Sequence, residues 1–228
     1  MAVQNTKKQN KTAVYFIPGM AANTQIFERI HLDKDLFQTH YIEWLEPLKN
    51  ESLRAYSQRM AKNITDENPV LIGVSFGGII AQEITRIMPV KQVIIISSIK
   101  NSRELPTYFK WVNGLFLYKF FPNHLTWKAL DFYAKITPDK KWKNRIKAYD
   151  KYLTVRSNNY LRWCIKMIAQ WQNENNLENI VHIHGKKDPI FPSNLIKNAI
   201  IVENADHALV LTNGSWLNRQ LHQIITTS

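Results

Sequence analysis

The chain has 228 residues, of which 45% are hydrophobic and 21% charged, the proportions of an ordinary globular protein. This length suits one α/β domain with a sizeable core and is short for two domains. The only cysteine, Cys164, excludes an intrachain disulfide, and no apolar stretch approaches the roughly 18 residues of a transmembrane helix. Residues 1–11 lack the apolar segment of a secretion signal. We therefore expect a cytoplasmic protein.

Short apolar runs alternate with helical patterns in the N-terminal part of the sequence. Strands are predicted at 13–17, 39–44, 70–74 and 90–97, and helices at 24–37, 53–64 and 76–88. Strands that are apolar throughout and alternate with helices are typical of a parallel sheet with both faces covered. After residue 176 the alternation resumes, with strands predicted at 180–184 and 199–203 and a closing helix at 216–225.

Residues 99–176 interrupt this alternation, because they contain no convincing strand and resemble several helices separated by prolines. We therefore predict a core formed by 1–98 and 177–228, with a helical cap inserted at 99–176. The most apolar part of the cap, 115–121, is expected to pack onto the sheet, to line an acyl pocket or to touch lipid. A helical stripe of Trp163, Met167 and Trp171, with Cys164 among them, is expected to be buried.

The positive charge of the chain is concentrated in this predicted cap. The formal net charge is +12, and residues 99–176 contain 15 Lys and Arg residues against five acidic residues. Such a field attracts polyanions, namely an acidic carrier protein, an anionic membrane surface or nucleic acid. The alternative is a solvated helical surface without a partner. Nucleic acid is the least expected of these partners, because the sequence contains no recognised binding module.

Ser75 lies in the sequence Gly73-Val74-Ser75-Phe76-Gly77-Gly78, between a predicted strand and a predicted helix. A serine in so tight a turn points its hydroxyl out of the sheet, and its neighbours two residues away must be glycine to avoid Cβ clashes. The alternative is a nucleotide-binding turn. The spacing fits neither GxGxxG nor a P-loop, and no lysine follows the glycines. The pattern therefore favours a nucleophilic serine.

A serine hydroxyl needs a base, and the base needs an orienting acid. Asp188 follows the fifth predicted strand and His207 follows the sixth, so both lie where ligands bind in open α/β sheets. We predict Asp188 as the acid and His207 as the base. The alternatives are an ordinary turn aspartate before Pro189 and a surface histidine. Asp206 is a rival acid, but adjacent side chains diverge.

Two backbone N–H groups are candidates for an oxyanion hole. Phe76 begins the helix after Ser75, where its N–H is free to donate. Met20 follows Gly19 in the loop after the first strand, where glycine allows the backbone to approach a substrate. We therefore predict the N–H groups of Met20 and Phe76 as the two donors.

His182 and His184 are two residues apart on a predicted strand and therefore share one face, with Asp188 nearby. A metal site is conceivable at this point, but no fourth ligand is apparent. We expect neither a metal nor a cofactor.

With these features in order, the chain resembles the α/β-hydrolase superfamily over nearly its whole length. The matching segments are the Gly73–Gly77 turn, the Pro18-Gly19-Met20 loop, His184 to Asp188, Asp206-His207 and the helical insertion. The resemblance implies an α/β-hydrolase fold with a mostly parallel sheet of about six strands and a cap after the fourth. The chain departs from the family pattern in two ways. Pro18 stands where a histidine is usual, and the two strands that often begin the fold are missing before the first predicted strand.

The resemblance also implies acyl transfer to water, so we predict a carboxylesterase or thioesterase that acts on a small acyl ester. The basic cap suggests similarity to pimeloyl-carrier-protein methyl ester esterases, in which an acidic acyl carrier protein would present the substrate. Two alternatives remain at this stage. The same three residues could perform C–C bond hydrolysis or a lyase reaction, or the scaffold could be a non-catalytic binding protein.

Overall fold

The computed structural model describes residues 11–115, 150–174 and 179–227. Six strands form one sheet in the order β2-β1-β3-β4-β5-β6, and all five adjacent pairs are parallel. The strands are β1 (Thr12–Ile17), β2 (Phe37–Tyr41), β3 (Val70–Val74), β4 (Gln92–Ile96), β5 (Ile180–Gly185) and β6 (Ile200–Val202). The predicted parallel sheet of about six strands is therefore confirmed.

Helices cover this sheet and connect its strands. They are α1 (Leu53–Ala61), α2 (Phe76–Ile84), α3 (Thr107–Gly114), α4 (Asn158–Gln170), α5 (Leu209–Thr212) and α6 (Gly214–Thr226), with short 3₁₀ helices at Thr24–Phe27 and Ser102–Glu104. The Ser52 and Ser157 hydroxyls accept from the N–H groups of Ala55 and Tyr160 and so cap α1 and α4. None of the helices within the described ranges has the length and apolarity that crossing a bilayer demands.

The two central strands, β3 and β4, are buried at every position, because helices cover both faces of the sheet. One face packs against α1, α2 and α4, with Tyr56, Ile80 and Tyr160 fully buried. The opposite face packs against α6 and the N-terminal 3₁₀ helix, with Leu221 and Phe27 in its core. The continuous apolar runs that predicted these strands thus correspond to burial on both sides.

The predicted helix at 24–37 is wrong beyond its first turn. Asn23 caps a single 3₁₀ turn, Thr24–Phe27, and strand β2 already begins at Phe37. Between them, the Asp33 carboxylate accepts from the Asp35 N–H, and the Asp33 carbonyl accepts from the Phe37 N–H. Local bonding of this kind competes with the helix and forms a turn instead. All apolar residues of the segment except the partly buried Leu36 are nevertheless buried, which explains the misleading pattern.

The described part of the predicted cap, 99–115 and 150–174, contains helices and no strand. In α4, Trp163, Met167 and Cys164 are buried, and Trp171 just beyond its end is buried as well, as the helical spacing predicted. Of the apolar stretch 115–121, only Leu115 is described, and it is exposed. The other residues of this stretch lie outside the described residues, so its predicted packing stays a prediction.

The order of the strands in the sheet determines which loops are neighbours. The direction of strand addition reverses between β1 and β3, a point at which ligands bind in open α/β sheets. Ile17 at the end of β1 is paired with Gly73 near the end of β3. The loop that follows β1 therefore lies beside the turn that follows β3.

Candidate active site

Ser75 lies in the turn between β3 and α2 with a backbone φ of 53° and ψ of −119°. This positive φ is unusual for a residue other than glycine. The turn is fixed on both sides, because the Ser75 N–H donates to the Ile96 carbonyl at 2.9 Å and its own carbonyl accepts from the Ser98 hydroxyl at 2.7 Å. The Ser75 side chain makes no capping bond to α2, so its hydroxyl is free to point out of the sheet.

Glycines on either side of Ser75 are required by close backbone contacts. A Cβ at Gly73 would lie 2.3 Å from the Gly77 carbonyl oxygen, and a Cβ at Gly77 would lie 2.3 Å from the Pro18 carbonyl oxygen. Backbone atoms cannot move aside as the end of a flexible side chain can. The predicted reason for glycine at both positions therefore agrees with the structure.

The structure brings Ser75, His207 and Asp188 together, although they lie far apart in the sequence. The Ser75 Oγ lies 3.0 Å from the Nε2 of His207, and the Nδ1 of His207 lies 2.8 Å from Oδ2 of Asp188. Both distances are within the range of a hydrogen bond. Since the carboxylate accepts, Nδ1 carries the proton of the neutral ring, which leaves Nε2 as an acceptor for the serine hydroxyl.

The Asp188 carboxylate is completely buried, whereas the His207 side chain is 28% exposed. The second oxygen, Oδ1, accepts from the N–H groups of Ile190 and Phe191 at 2.8 and 2.9 Å. These two bonds fix the carboxylate so that Oδ2 faces the imidazole. The Phe191 ring packs beside His207, with their centroids 5.7 Å apart, and shields the ion pair that would form on protonation of His207.

Asp206 does not compete for His207 in the described residues. Its Oδ1 instead accepts from the Ala208 N–H at 2.9 Å, within its own turn. The expectation that the two adjacent side chains diverge therefore agrees with the structure.

The loop after β1 reaches Ser75 as predicted. A Cβ built on Gly19 would lie 3.4 Å from the Ser75 Cβ, so the two backbones nearly touch. Phe76 is the first residue of α2, where no helical acceptor exists for its N–H. Within the described residues, the Met20 N–H donates to no turn or loop carbonyl. Both predicted oxyanion donors thus lie in segments adjacent to Ser75.

His182 and His184 lie behind Asp188 on β5, on the face predicted from their spacing. The Nε2 of His184 lies 2.8 Å from the Phe191 carbonyl and 3.6 Å from the Asp188 carboxylate, and its Nδ1 lies 3.3 Å from the Nε2 of His182. Burial lowers the pKa of both rings, and that of His182 falls well below its usual range. A neutral pair satisfies these contacts if each ring carries its proton on Nε2.

No metal site accompanies these histidines among residues 11–115, 150–174 and 179–227, because no group of three or more His, Cys, Asp or Glu side chains could hold an ion. The pair instead forms a packed layer beneath the carboxylate, with their rings edge to face at 5.1 Å between centroids.

Two aromatic features of the site were not predicted from the sequence. Helix α3 contacts the loop after Asp188, because the Tyr108 hydroxyl donates to the Ile190 carbonyl and the Phe109 ring stacks on Phe191 at 6.0 Å. The indole of Trp44, three residues beyond β2, reaches Gly19 in the loop after β1. The abundance of aromatic residues is visible in the sequence, but their partners depend on the tertiary fold.

Solved structures that resemble this one cover nearly all of the chain. An esterase from Exiguobacterium antarcticum matches with a TM-score of 0.69 and 16% identity, over 95% of this chain and 92% of the esterase. A bromoperoxidase from Bacillus anthracis matches with a TM-score of 0.67 and 16% identity, over 95% and 92% of the two chains. The chain has the α/β-hydrolase fold.

A lipase-esterase related protein from Clostridium acetobutylicum has a similar degree of likeness, with a TM-score of 0.66 and 16% identity over 95% of this chain and 96% of that one. At the level of sequence, residues 21–112 match the model of the family described as Uncharacterised protein family (UPF0227), which is less than half of the chain. No curated protein matches by sequence. The likeness to known structures therefore establishes the fold, and the chemistry has to be argued from the site.

Proposed function

We propose that this protein is a serine hydrolase that cleaves a carboxylic ester or thioester through an acyl-enzyme. The observation that carries the proposal is the continuous hydrogen-bonded chain from Ser75 through His207 to Asp188, with distances of 3.0 and 2.8 Å. A serine hydroxyl on a strained turn, next to a correctly oriented neutral imidazole, is the arrangement that activates oxygen as a nucleophile. The presence of esterases among proteins with this fold agrees with the proposal.

In the acylation step, Ser75 Oγ attacks the carbonyl carbon of the substrate while His207 Nε2 removes the hydroxyl proton. Asp188 keeps the imidazole in the required tautomer and stabilises the imidazolium that forms. The Met20 and Phe76 N–H groups donate to the oxyanion of the tetrahedral intermediate. The imidazolium then protonates the leaving alcohol or thiol as the intermediate collapses to an acyl-serine.

Deacylation uses the same groups in the opposite direction. His207 takes a proton from water, the hydroxide attacks the acyl-serine, and the second tetrahedral intermediate forms in the same oxyanion hole. Its collapse returns the proton from His207 to Ser75 and releases the carboxylic acid. No cofactor enters either step.

The substrate is proposed to be an acyl ester whose acyl chain contacts the aromatic side chain of Phe109. The buried Phe191 ring lies beside the imidazole of His207, and the half-buried Phe109 ring stacks on it and offers an apolar surface near the site. The basic sequence at 99–176 supports a finer proposal, in which an acidic acyl carrier protein presents the acyl group. C–C bond hydrolysis, a lyase reaction and a purely binding role are the outcomes against which the proposal is tested.

The proposal is tested by hydrolysis of p-nitrophenyl esters with acyl chains of increasing length, using wild-type protein and the Ser75→Ala variant. We expect turnover by the wild type with a maximum at one chain length and a loss of kcat of about 10⁶-fold in the variant. A fluorophosphonate should label wild-type Ser75, as located by mass spectrometry. The matched control is Ser57→Ala, a buried serine of α1 outside the site, which should retain activity.

Wild-type turnover that persisted in Ser75→Ala would contradict the assignment of the nucleophile. An absence of both turnover and labelling in the wild type would contradict the hydrolase proposal itself and favour the binding or non-hydrolytic functions.

A further inference from the structure

In the peptide unit between Gly19 and Met20, the carbonyl oxygen accepts two hydrogen bonds. The Gly19 carbonyl accepts from the indole Nε1 of Trp44 at 3.0 Å and from the Ala22 N–H at 3.0 Å. Gly19 is buried, so the oxygen depends on these donors rather than on bulk water. The Ala22 bond lies within the turn, whereas the Trp44 bond ties the turn to the segment after β2.

Fixing this carbonyl also fixes the direction of the Met20 N–H. A trans peptide is planar, and its C=O and N–H bonds point in opposite directions. When the Gly19 oxygen points toward Trp44, the Met20 N–H must therefore point away from it. Gly19 itself lies against Ser75, with a Cβ position only 3.4 Å from the Ser75 Cβ. The orientation of this one peptide decides whether the N–H is available beside the nucleophile.

Trp44 also contacts the second proposed donor residue. Its ring stacks on the Phe76 ring with 5.5 Å between centroids and 25° between planes. On other sides the indole packs against Tyr160 and Tyr56, at 5.6 and 6.4 Å between centroids. The indole is thus held firmly, and it links the two segments that carry the Met20 and Phe76 N–H groups.

We propose that Trp44 is a positioning residue for the oxyanion hole: its N–H orients the Gly19–Met20 peptide, and its ring supports Phe76. This inference rests on the proposed hydrolase function and adds to it a residue that acts through the Gly19–Met20 peptide and Phe76. The need for both an apolar ring and a directional N–H explains why tryptophan, rather than phenylalanine, occupies the position. Loss of the N–H would leave the Gly19 carbonyl with the Ala22 donor alone, and the peptide free to turn.

Trp163 provides a matched control in the same aromatic cluster. Its Nε1 donates to the Glu51 carbonyl at 2.8 Å, and its ring contacts Phe76 edge to face at 6.0 Å. The change Trp163→Phe therefore removes the hydrogen bond from an indole to a backbone carbonyl at a ring that contacts Phe76, as Trp44→Phe does. The two variants differ in that only Trp44 donates to Gly19.

The test compares Trp44→Phe with Trp163→Phe on the best ester substrate and on a trifluoromethyl ketone with the same acyl chain. The ketone forms a tetrahedral adduct with the serine, so its affinity reports on the oxyanion hole. Removing an oxyanion donor outright costs about 10²–10³-fold in kcat, and misorienting one should cost about 10–100-fold. We expect this loss in Trp44→Phe with KM changed by less than about 3-fold, together with a similar weakening of the ketone.

Trp163→Phe should change neither the kcat nor the ketone affinity by more than about 3-fold. Its lost hydrogen bond does not orient an oxyanion donor, so we expect the substitution to act mainly on stability. The proposal is overturned if the two variants behave alike, or if Trp44→Phe lowers kcat without weakening the ketone. If Trp44→Phe does not fold, Trp44 replaced by benzothienylalanine keeps the shape and lacks the N–H, and the same comparison applies.

The outcome for Trp44 is separable from that for the proposed function. A wild-type protein that hydrolyses esters and binds the ketone supports the hydrolase proposal whatever Trp44→Phe does. A wild-type protein without turnover or labelling contradicts the hydrolase proposal, and the role of Trp44 is overturned with it.

Discussion

At the scale of single residues, Ser75, the proposed nucleophile, has an unfavourable backbone conformation. Its φ of 53° and ψ of −119° lie in a region that L-residues rarely adopt. Such a conformation costs about 1–3 kcal/mol, and the surrounding structure has to compensate for it. The two backbone bonds to Ile96 and Gly78 and the Ser98 hydroxyl provide this compensation. The hydroxyl is thereby presented at the cost of some stability.

The change Ser75→Gly should therefore stabilise the protein relative to Ser75→Ala, by about 1 kcal/mol of unfolding free energy. Both variants lack the hydroxyl, but only glycine adopts a positive φ without strain. Urea denaturation of the two variants measures the difference directly. Equal midpoints in the two variants would contradict the predicted stabilisation.

The three polar residues of the site could be predicted because their sequence contexts are local. Ser75 stands between an apolar strand and a glycine pair, and Asp188 and His207 each follow a predicted strand. Trp44 could not be predicted in this way, because its partner Gly19 is 25 residues away and the contact depends on the pairing of β1 with β2. Sequence patterns reveal turn chemistry and burial, but not which side chain a distant carbonyl meets.

At the scale of elements, strand β5 carries two buried histidines directly behind the Asp188 carboxylate. Burial lowers the pKa of His182 and His184 below the usual 6.5, so the folded state favours the neutral form of both rings. In the unfolded chain they gain protons as the pH falls below about 6.5. The unfolded state then binds more protons than the folded state, and the free energy of unfolding decreases with falling pH.

Replacing His182 by Gln should reduce this pH dependence. Each such histidine contributes a slope of up to about 1.4 kcal/mol per pH unit in the window between its folded pKa and 6.5. We expect the slope of unfolding free energy against pH to decrease by about 1 kcal/mol per unit below 6.5. Urea titrations at a series of pH values measure it. His31→Gln, at an exposed position, is the matched control, and an equal decrease of the slope in both variants would contradict the prediction.

The strands were predicted more accurately than the first helix, and the reason is physical. Strands β3 and β4 are buried at each position and, except for Gln92, form continuous apolar runs because both of their faces are covered. In 24–37, apolar residues at helical spacing are buried by a 3₁₀ turn and an irregular segment. The spacing of buried residues alone does not distinguish a continuous helix from a 3₁₀ turn followed by an irregular segment. The hydrogen bonds of the turn at Asp33 do distinguish them.

At the scale of the whole molecule, the positive charge of the chain bears on whether the substrate is linked to an acidic carrier or is free. This charge attracts an acidic carrier but not a neutral small molecule. The chain carries a net charge of +12, with 15 basic and five acidic residues in 99–176. Several of these cations are already paired, as Lys151 is with Glu28 and Arg156 with Asp150. The electrostatic field at a distant acidic partner therefore depends on the positive charge that these ion pairs do not neutralise.

If an acidic acyl carrier protein presents the substrate, kcat/KM on the carrier-linked ester should fall by at least about 10-fold as ionic strength rises from low to molar salt. The reason is that salt screens the attraction that steers the two proteins together. The same acyl group on a small neutral alcohol is the control, and its kcat/KM should change little. Equal salt dependence of the two substrates would contradict a role for the carrier.

Helix α4 lies within the predicted insertion by its position in the sequence, but it is part of the core by its packing. Its Tyr160 is fully buried, and the Trp163 ring lies against Tyr56 of α1 at 4.4 Å. A chimera that exchanged all of 99–176 with a homologous fold would therefore replace one layer of the core together with the proposed cap. Graft junctions placed after Gly114 and before Asp150 would leave that layer native. Transplanted specificity could then be evaluated in a recipient whose hydrophobic interior is unaltered.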